Sequence, residues 1–251
     1  MRLYPASYQA AAEILDVHRE MTTGLPWTAR WRADADLLAH ALRVRAGLDS
    51  ASAGGRFFEL AAPFALAVTA AFGGIYLMRW YAAVAISPGS TWSQLATTDV
   101  PEGLQVLFLL SMCGGGIVAL LKYWRTGAFL SIVGLLGFAL QWTIRPAWYE
   151  RGPFEAIAAV LTALVVLACP PDRRGDRKRA VVAGAMAAIA WFPSALVLTR
   201  GFVVSTDYGA WPLLALGLTG IVCYARPSGL PTLAAMAAAS PLFLVYAAIS
   251  L

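Results

Sequence analysis

Few side chains that can do chemistry fall within the apolar stretches of this 251-residue chain. Gln105 and Gln141 are the main polar ones inside them. Either can contact a ligand or lipid, but a polar side chain in an apolar helix more commonly ties two helices together by a hydrogen bond. Glu59, Arg79 and Glu155 each lie within about a turn of the end of an apolar stretch, where a long side chain reaches the polar boundary. Gly115, in the run Gly114-Gly115-Gly116, either admits a close neighbouring helix or bends its own helix around a cavity. Arg145 and Arg151 flank Pro146-Ala147-Trp148-Tyr149-Glu150. Two arginines beside aromatic rings suit an anionic head group or carboxylate, and equally an interfacial anchor with Glu150 neutralising one of them. No HExxH, GxSxG or GxxxxGK[ST] occurs, nor a pair of carboxylates deep in an apolar run. Such motifs place a metal, a nucleophile or a phosphate. His18 and His40 lack a third ligand, and Cys113, Cys169 and Cys223 lack CxxC spacing, so zinc and disulfides are not expected. The expected protein is not an enzyme and carries no cofactor.

The elements that would position these residues follow from composition. Hydrophobic residues make up 59% and charged ones 13%, about half the usual charged share. Long apolar runs alternate with short charged islands, the pattern of an all-α polytopic membrane protein. Seven runs can be read, at about 58–80, 103–122, 126–144, 153–169, 180–199, 210–225 and 230–250. Each is near the roughly 20 residues a bilayer needs. Their side is set by Pro170–Arg179, which carries five of the nineteen Lys and Arg residues. A segment this basic stays in the cytoplasm. Seven crossings then give a cytoplasmic N-terminus, an external C-terminus and fifteen of the nineteen positive residues inside. The expected location is the cytoplasmic membrane, in contact with its lipids.

Residues 1–48 read as a separate cytoplasmic module. Ala10, Ile14, Val17 and Met21 recur at helical spacing between Ser7 and about Thr23. Leu25-Pro26-Trp27 makes a turn, and a second helix is expected from about Thr28 to Gly47. On it Trp31, Ala35, Leu38 and Leu42 share one face, with Leu37, Ala41, Val44 and Leu48 beside them. The two helices are expected to pack as an antiparallel hairpin, Trp31, Leu38 and Leu42 against Ile14, Val17 or Met21. Residues 49–56, rich in Ser, Ala and Gly, read as a flexible linker, and 57–251 as the transmembrane bundle. Glu13, Asp16, Glu20, Asp34, Arg43 and Arg45 form the charged face expected to dock a protein partner. Seven positive and six negative residues before Phe57 are too balanced for a nucleic-acid footprint.

Arg2-Leu3-Tyr4-Pro5-Ala6-Ser7-Tyr8, Glu13-Ile14 and Asp36 through Leu48 give this module a resemblance. It resembles the short helical prefix domain of actinobacterial membrane proteins often encoded beside PadR-type transcription regulators. A similar prefix precedes some ABC-transporter permease domains. The resemblance covers about residues 1–50. It implies an accessory or regulatory protein whose hairpin meets a PadR-type regulator or a transporter component. The alternative is a small permease subunit for an apolar or amphipathic compound.

Overall fold

The computed structural model describes Tyr4 and residues 10–49, 51–86, 99–144, 153–170, 177–200, 210–225 and 229–250. Among them the chain is all-α, with ten helices and no strand. Helices α1 (Ala11–Thr22) and α2 (Trp27–Arg45) come first. Gly24, at φ 83°, follows α1; a residue bearing a Cβ is strained in that conformation. Gly47, at φ 65°, ends α2, with Leu48 N donating to Arg43 O at 2.8 Å and Gly47 N to Val44 O at 3.2 Å. This paired closure satisfies the last free carbonyls of a helix. The chain turns at once into the next helix. Asp49 accepts from Ser52 N at 2.9 Å, and the Ser52 hydroxyl accepts from Gly55 N at 2.9 Å. The stretch 49–56, expected to be a flexible linker, thus includes the cap and first turn of α3.

The packing of α1 on α2 differs from expectation. Trp31 and Leu38 are 62% and 53% exposed, and Val17, Met21 and Leu42 are also exposed. The covered residues of α2 include Ala33, Leu37, His40, Ala41 and Val44, and those of α1 Ile14, Leu15 and His18, with His18 Nε2 3.3 Å from Asp34 across the two helices. Small residues at Ala33 and Ala41 let the helices approach, whereas the Trp and Leu stripe would hold them apart.

Helix α3 (Ala53–Ile86) has 34 residues and is about 51 Å long at 1.5 Å per residue. It is the axis of the bundle. Around it stand α4 (Val100–Leu121), α5 (Trp124–Ile144), α6 (Phe154–Leu167), α7 (Arg177–Arg200), α8 (Trp211–Tyr224), α9 (Gly229–Ala238) and α10 (Pro241–Ser250). All but α8 pack directly on α3. Every residue from Ala61 to Ile75 is buried, as befits a helix that is apolar on all sides. The Thr69 hydroxyl is satisfied within the helix, donating to Ala65 O at 2.7 Å.

All seven apolar runs are helical, but they are not seven spans by length. Among the described residues three helices, α3, α4 and α5, are long and apolar enough to cross a membrane. A fourth is obtained if α9 and α10 count as one span bent by 59°. The break falls at Ala239-Ser240 ahead of Pro241, where the proline ring disfavours helix in the residue before it. Helices α6 and α8 have 14 residues each, or about 21 Å of rise, short of a roughly 30 Å hydrocarbon core.

Glycine sets the closest helix contacts. A Cβ on Gly115 would stand 2.6 Å from Ser131 N on α5, and one on Gly116 2.6 Å from Leu66 O on α3. The triplet therefore wedges α4 between α3 and α5. The triplet does not break α4, which is helical throughout.

Candidate functional site

Interhelix contacts give the bundle two chemically distinct ends. Helix α4 runs antiparallel to α3, because Gly116 meets Leu66 and Ala70 while Gly73 meets Leu109. Trp80 Nε1 closes that pairing by donating to Glu102 Oε1 at 3.1 Å. Helix α7 runs parallel to α3. Its first turn meets Glu59, with Arg179 Nη1 3.1 Å from Glu59 Oε1, and Trp191 lies against Gly74 farther along. The end marked by Glu59 therefore gathers Arg56, Lys122, Arg125, Arg177, Lys178 and Arg179. The end marked by Trp80 gathers Asp99, Glu102 and Glu155 with Arg79.

That second end holds the main polar cluster among the described residues. Pro153 caps α6 and puts Glu155 in its first turn, where the helix dipole favours an acid. Glu155 is only 7% exposed. Its Oε1 accepts from the Tyr76 hydroxyl at 2.6 Å, within the short range of charge-assisted bonds. Arg79, one turn along α3, stands 5.5 Å over the Tyr76 ring, a cation–π distance. Phe72, at 4.6 Å, and Tyr246 of α10, at 6.1 Å, complete the aromatic wall between ring centroids. The cluster joins α3, α6 and α10 around one buried carboxylate, and it is closely packed.

Glu155 was expected to reach the interface from a run end; instead it is buried, with Tyr76 of α3 donating to it. The available signal was the pair Tyr76 and Arg79, a helical turn apart in an apolar run, together with an acid opening another run. Glu59 is likewise paired with Arg179.

Gln141 is buried, and its Nε2 donates to Pro101 O at 2.8 Å, across to the first turn of α4. Its Oε1 has no hydrogen-bond partner among the described residues. Gln105 is half-buried on α4. Arg145 and Arg151 lie outside the described residues. On the hairpin, Glu13, Asp16, Glu20, Asp34 and Arg45 are exposed and Arg43 is partly buried. Asp34 lies 3.3 Å from His18 Nε2, while His40 packs against the Tyr4 ring at 5.8 Å between centroids. Among the described residues no group of three His, Cys, Asp or Glu side chains could hold a metal. An apolar groove of about 470 Å³ opens between α3, α4 and α7, bordered by Ala70, Cys113, Ile117, Gly184 and Trp191.

No protein-family model, curated protein or solved structure matches this chain.

Proposed function

We propose that this is a non-enzymatic accessory or regulatory protein of the cytoplasmic membrane whose N-terminal helices dock a cytoplasmic protein partner. The partner is of the PadR-type regulator or transporter-component class that the N-terminal resemblance implies. The observation that carries the reading is the outer face of α1. Glu13, Asp16 and Glu20 follow at i, i+3 and i+7, all exposed, opposite the half-buried Ile14, Leu15 and His18. Arg19 meets Asp16 at 3.7 Å, so the stripe is acidic mainly at Glu13 and Glu20. Exposed charge of this kind adds nothing to a two-helix core and steers a partner of opposite charge. Arg43 and Arg45 add a second charged surface on α2.

On this reading the end bearing Arg56, Lys122, Arg125 and Arg177–Arg179 faces the cytoplasm. Tyr246 of α10 packs beside Tyr76, at the end away from Glu59, which supports an external C-terminus. Accessibility labels at Gly175 and after Leu251 test this, and labelling of both from one side of the membrane rejects it.

The docking test is removal of residues 1–48. Partners that co-purify with the full chain from native membrane should be lost while the bundle still inserts. The groove of about 470 Å³ between α3, α4 and α7 favours a second reading, a permease subunit for an apolar compound. That reading replaces the first if every partner survives the deletion and export of an apolar compound depends on Gln105 or Gln141.

A further inference from the structure

The face of α2 that the fold leaves bare is largely apolar, with Asp34 at its edge, 3.3 Å from His18 Nε2. Trp27, Trp31, Leu38 and Leu42 follow at i, i+4, i+11 and i+15, so they form one stripe along the helix. All four are exposed, and the two indole rings stand edge to face at 6.3 Å between centroids. Tryptophan and leucine beside arginine are the side chains that a membrane interface takes up.

Two further observations identify what covers the stripe. The first is the short connection to the bundle. Helix α2 closes on Gly47, and Asp49 and Ser52 already cap α3, a helix long and apolar enough to span. The stripe ends at Leu42, and α3 begins at Ala53, so a membrane that takes up α3 lies within reach of the stripe. The second is charge. Arg30 and Arg45 flank the stripe on α2, and Arg56 follows on the first turns of α3. Arg56 belongs to the end of the bundle that also carries Lys122, Arg125 and Arg177–Arg179. Juxtamembrane arginines of this kind are drawn to anionic lipid.

The geometry points to α2 as an interfacial helix, its Trp27–Leu42 stripe seated in the headgroup boundary of an anionic leaflet on the basic side of the bundle. The docking reading rests on the acidic residues Glu13, Asp16 and Glu20 of α1 and shares Arg45 of α2 with the lipid contact. Lipid contact is the readout here, and no partner is involved.

The test uses the full chain in vesicles of phosphatidylglycerol and phosphatidylcholine. The photo-crosslinking substitution Leu38→benzoylphenylalanine is made in one protein and Asp36→benzoylphenylalanine, on the opposite side of α2, in another. Phospholipid adducts are expected from position 38, and their absence from position 36. They should decline in vesicles of phosphatidylcholine alone and disappear when Trp27→Glu and Trp31→Glu are added. Because both tryptophans are exposed, the double substitution leaves the bundle folded, which its helical circular dichroism checks. No adduct at position 38, equal adducts at both positions, or adducts indifferent to the tryptophan substitutions would overturn the proposal. So would cross-linking of position 38 to a protein in place of lipid in native membrane.

Discussion

The Tyr76 hydroxyl donates to Glu155 Oε1 at 2.6 Å and so joins the second half of α3 to the first turn of α6. A carboxylate that is only 7% exposed depends on such donors, because an unmet buried charge is far more costly than an unmet neutral group. Tyr76→Phe removes the donor and keeps the ring. It should destabilise the bundle by about 1–3 kcal/mol, read as a shift in denaturant unfolding of the detergent-solubilised protein. Glu155→Gln keeps an acceptor and should be milder. The double variant should show coupling of about 0.5–3 kcal/mol. Independent, additive effects would mean the contact carries no energy of its own.

The pair Arg179–Glu59 has a different character. Its side chains are 33% and 14% exposed, so solvent and ions reach it, and pairs of this kind contribute up to about 1 kcal/mol. Arg179→Glu should be mildly destabilising and Glu59→Arg likewise, while the charge-reversed double variant recovers most of the loss. The effect should shrink as salt is raised. A loss that does not change with salt would show that the arginine acts through packing of its stem.

Much of the fold was legible because each apolar run in a membrane protein must be helical. Helices form where both N-terminal periodicities and all seven apolar runs were read, although α3, Ala53–Ile86, outruns its 58–80 reading at both ends. What composition could not supply was geometry that depends on neighbours. The last run reads as one apolar stretch, and only the packing of α9 and α10 turns Ser240-Pro241 into a sharp bend. Two equally apolar faces of α2 were visible, and periodicity does not say which is inner. Ala33 and Ala41 decide that by allowing close approach. Glu155 looked peripheral because its distance along the chain to a run end is short. It is buried all the same, and a donor to it, Tyr76 of α3, is distant in sequence. Of the candidate site, Gln141 was read as a ligand or lipid contact or else an interhelical tie, and it does bond to α4, whereas Tyr76 and Tyr246 were not singled out.

Adjacent glycines on α4 should respond oppositely to the same substitution. Nothing lies within 4 Å of a Cβ on Gly114, whereas one on Gly115 would meet Ser131 N at 2.6 Å. Gly115→Ala forces α5 away and should be destabilising by about 1–3 kcal/mol, the usual range for overpacking. Gly114→Ala only restricts the unfolded chain and improves helix propensity, so it should be neutral or stabilising by up to about 1 kcal/mol. Thermal unfolding in one detergent, with both variants side by side, decides it. Equal losses would mean that the α4–α5 contact is looser than the backbone positions imply.

The hairpin supplies the last contrast. Leu38 is 53% exposed while Ala41, three residues on, is 3% exposed. Had Leu38 filled the interface with α1, its truncation would remove about 2–3 kcal/mol. On the bare face, Leu38→Ala should change unfolding of the detergent-solubilised protein by no more than about 0.5 kcal/mol. Ala41→Leu should instead push α1 off α2, at a cost of about 1–3 kcal/mol. Amide exchange separates the two outcomes residue by residue. Ala41→Leu should speed exchange across α1 and the inner face of α2, with α3 through α10 unchanged. Leu38→Ala should leave exchange in detergent as it was. The opposite ranking, with Leu38→Ala the damaging change, would put the Trp31–Leu38–Leu42 stripe inside the hairpin and leave no apolar face for the membrane.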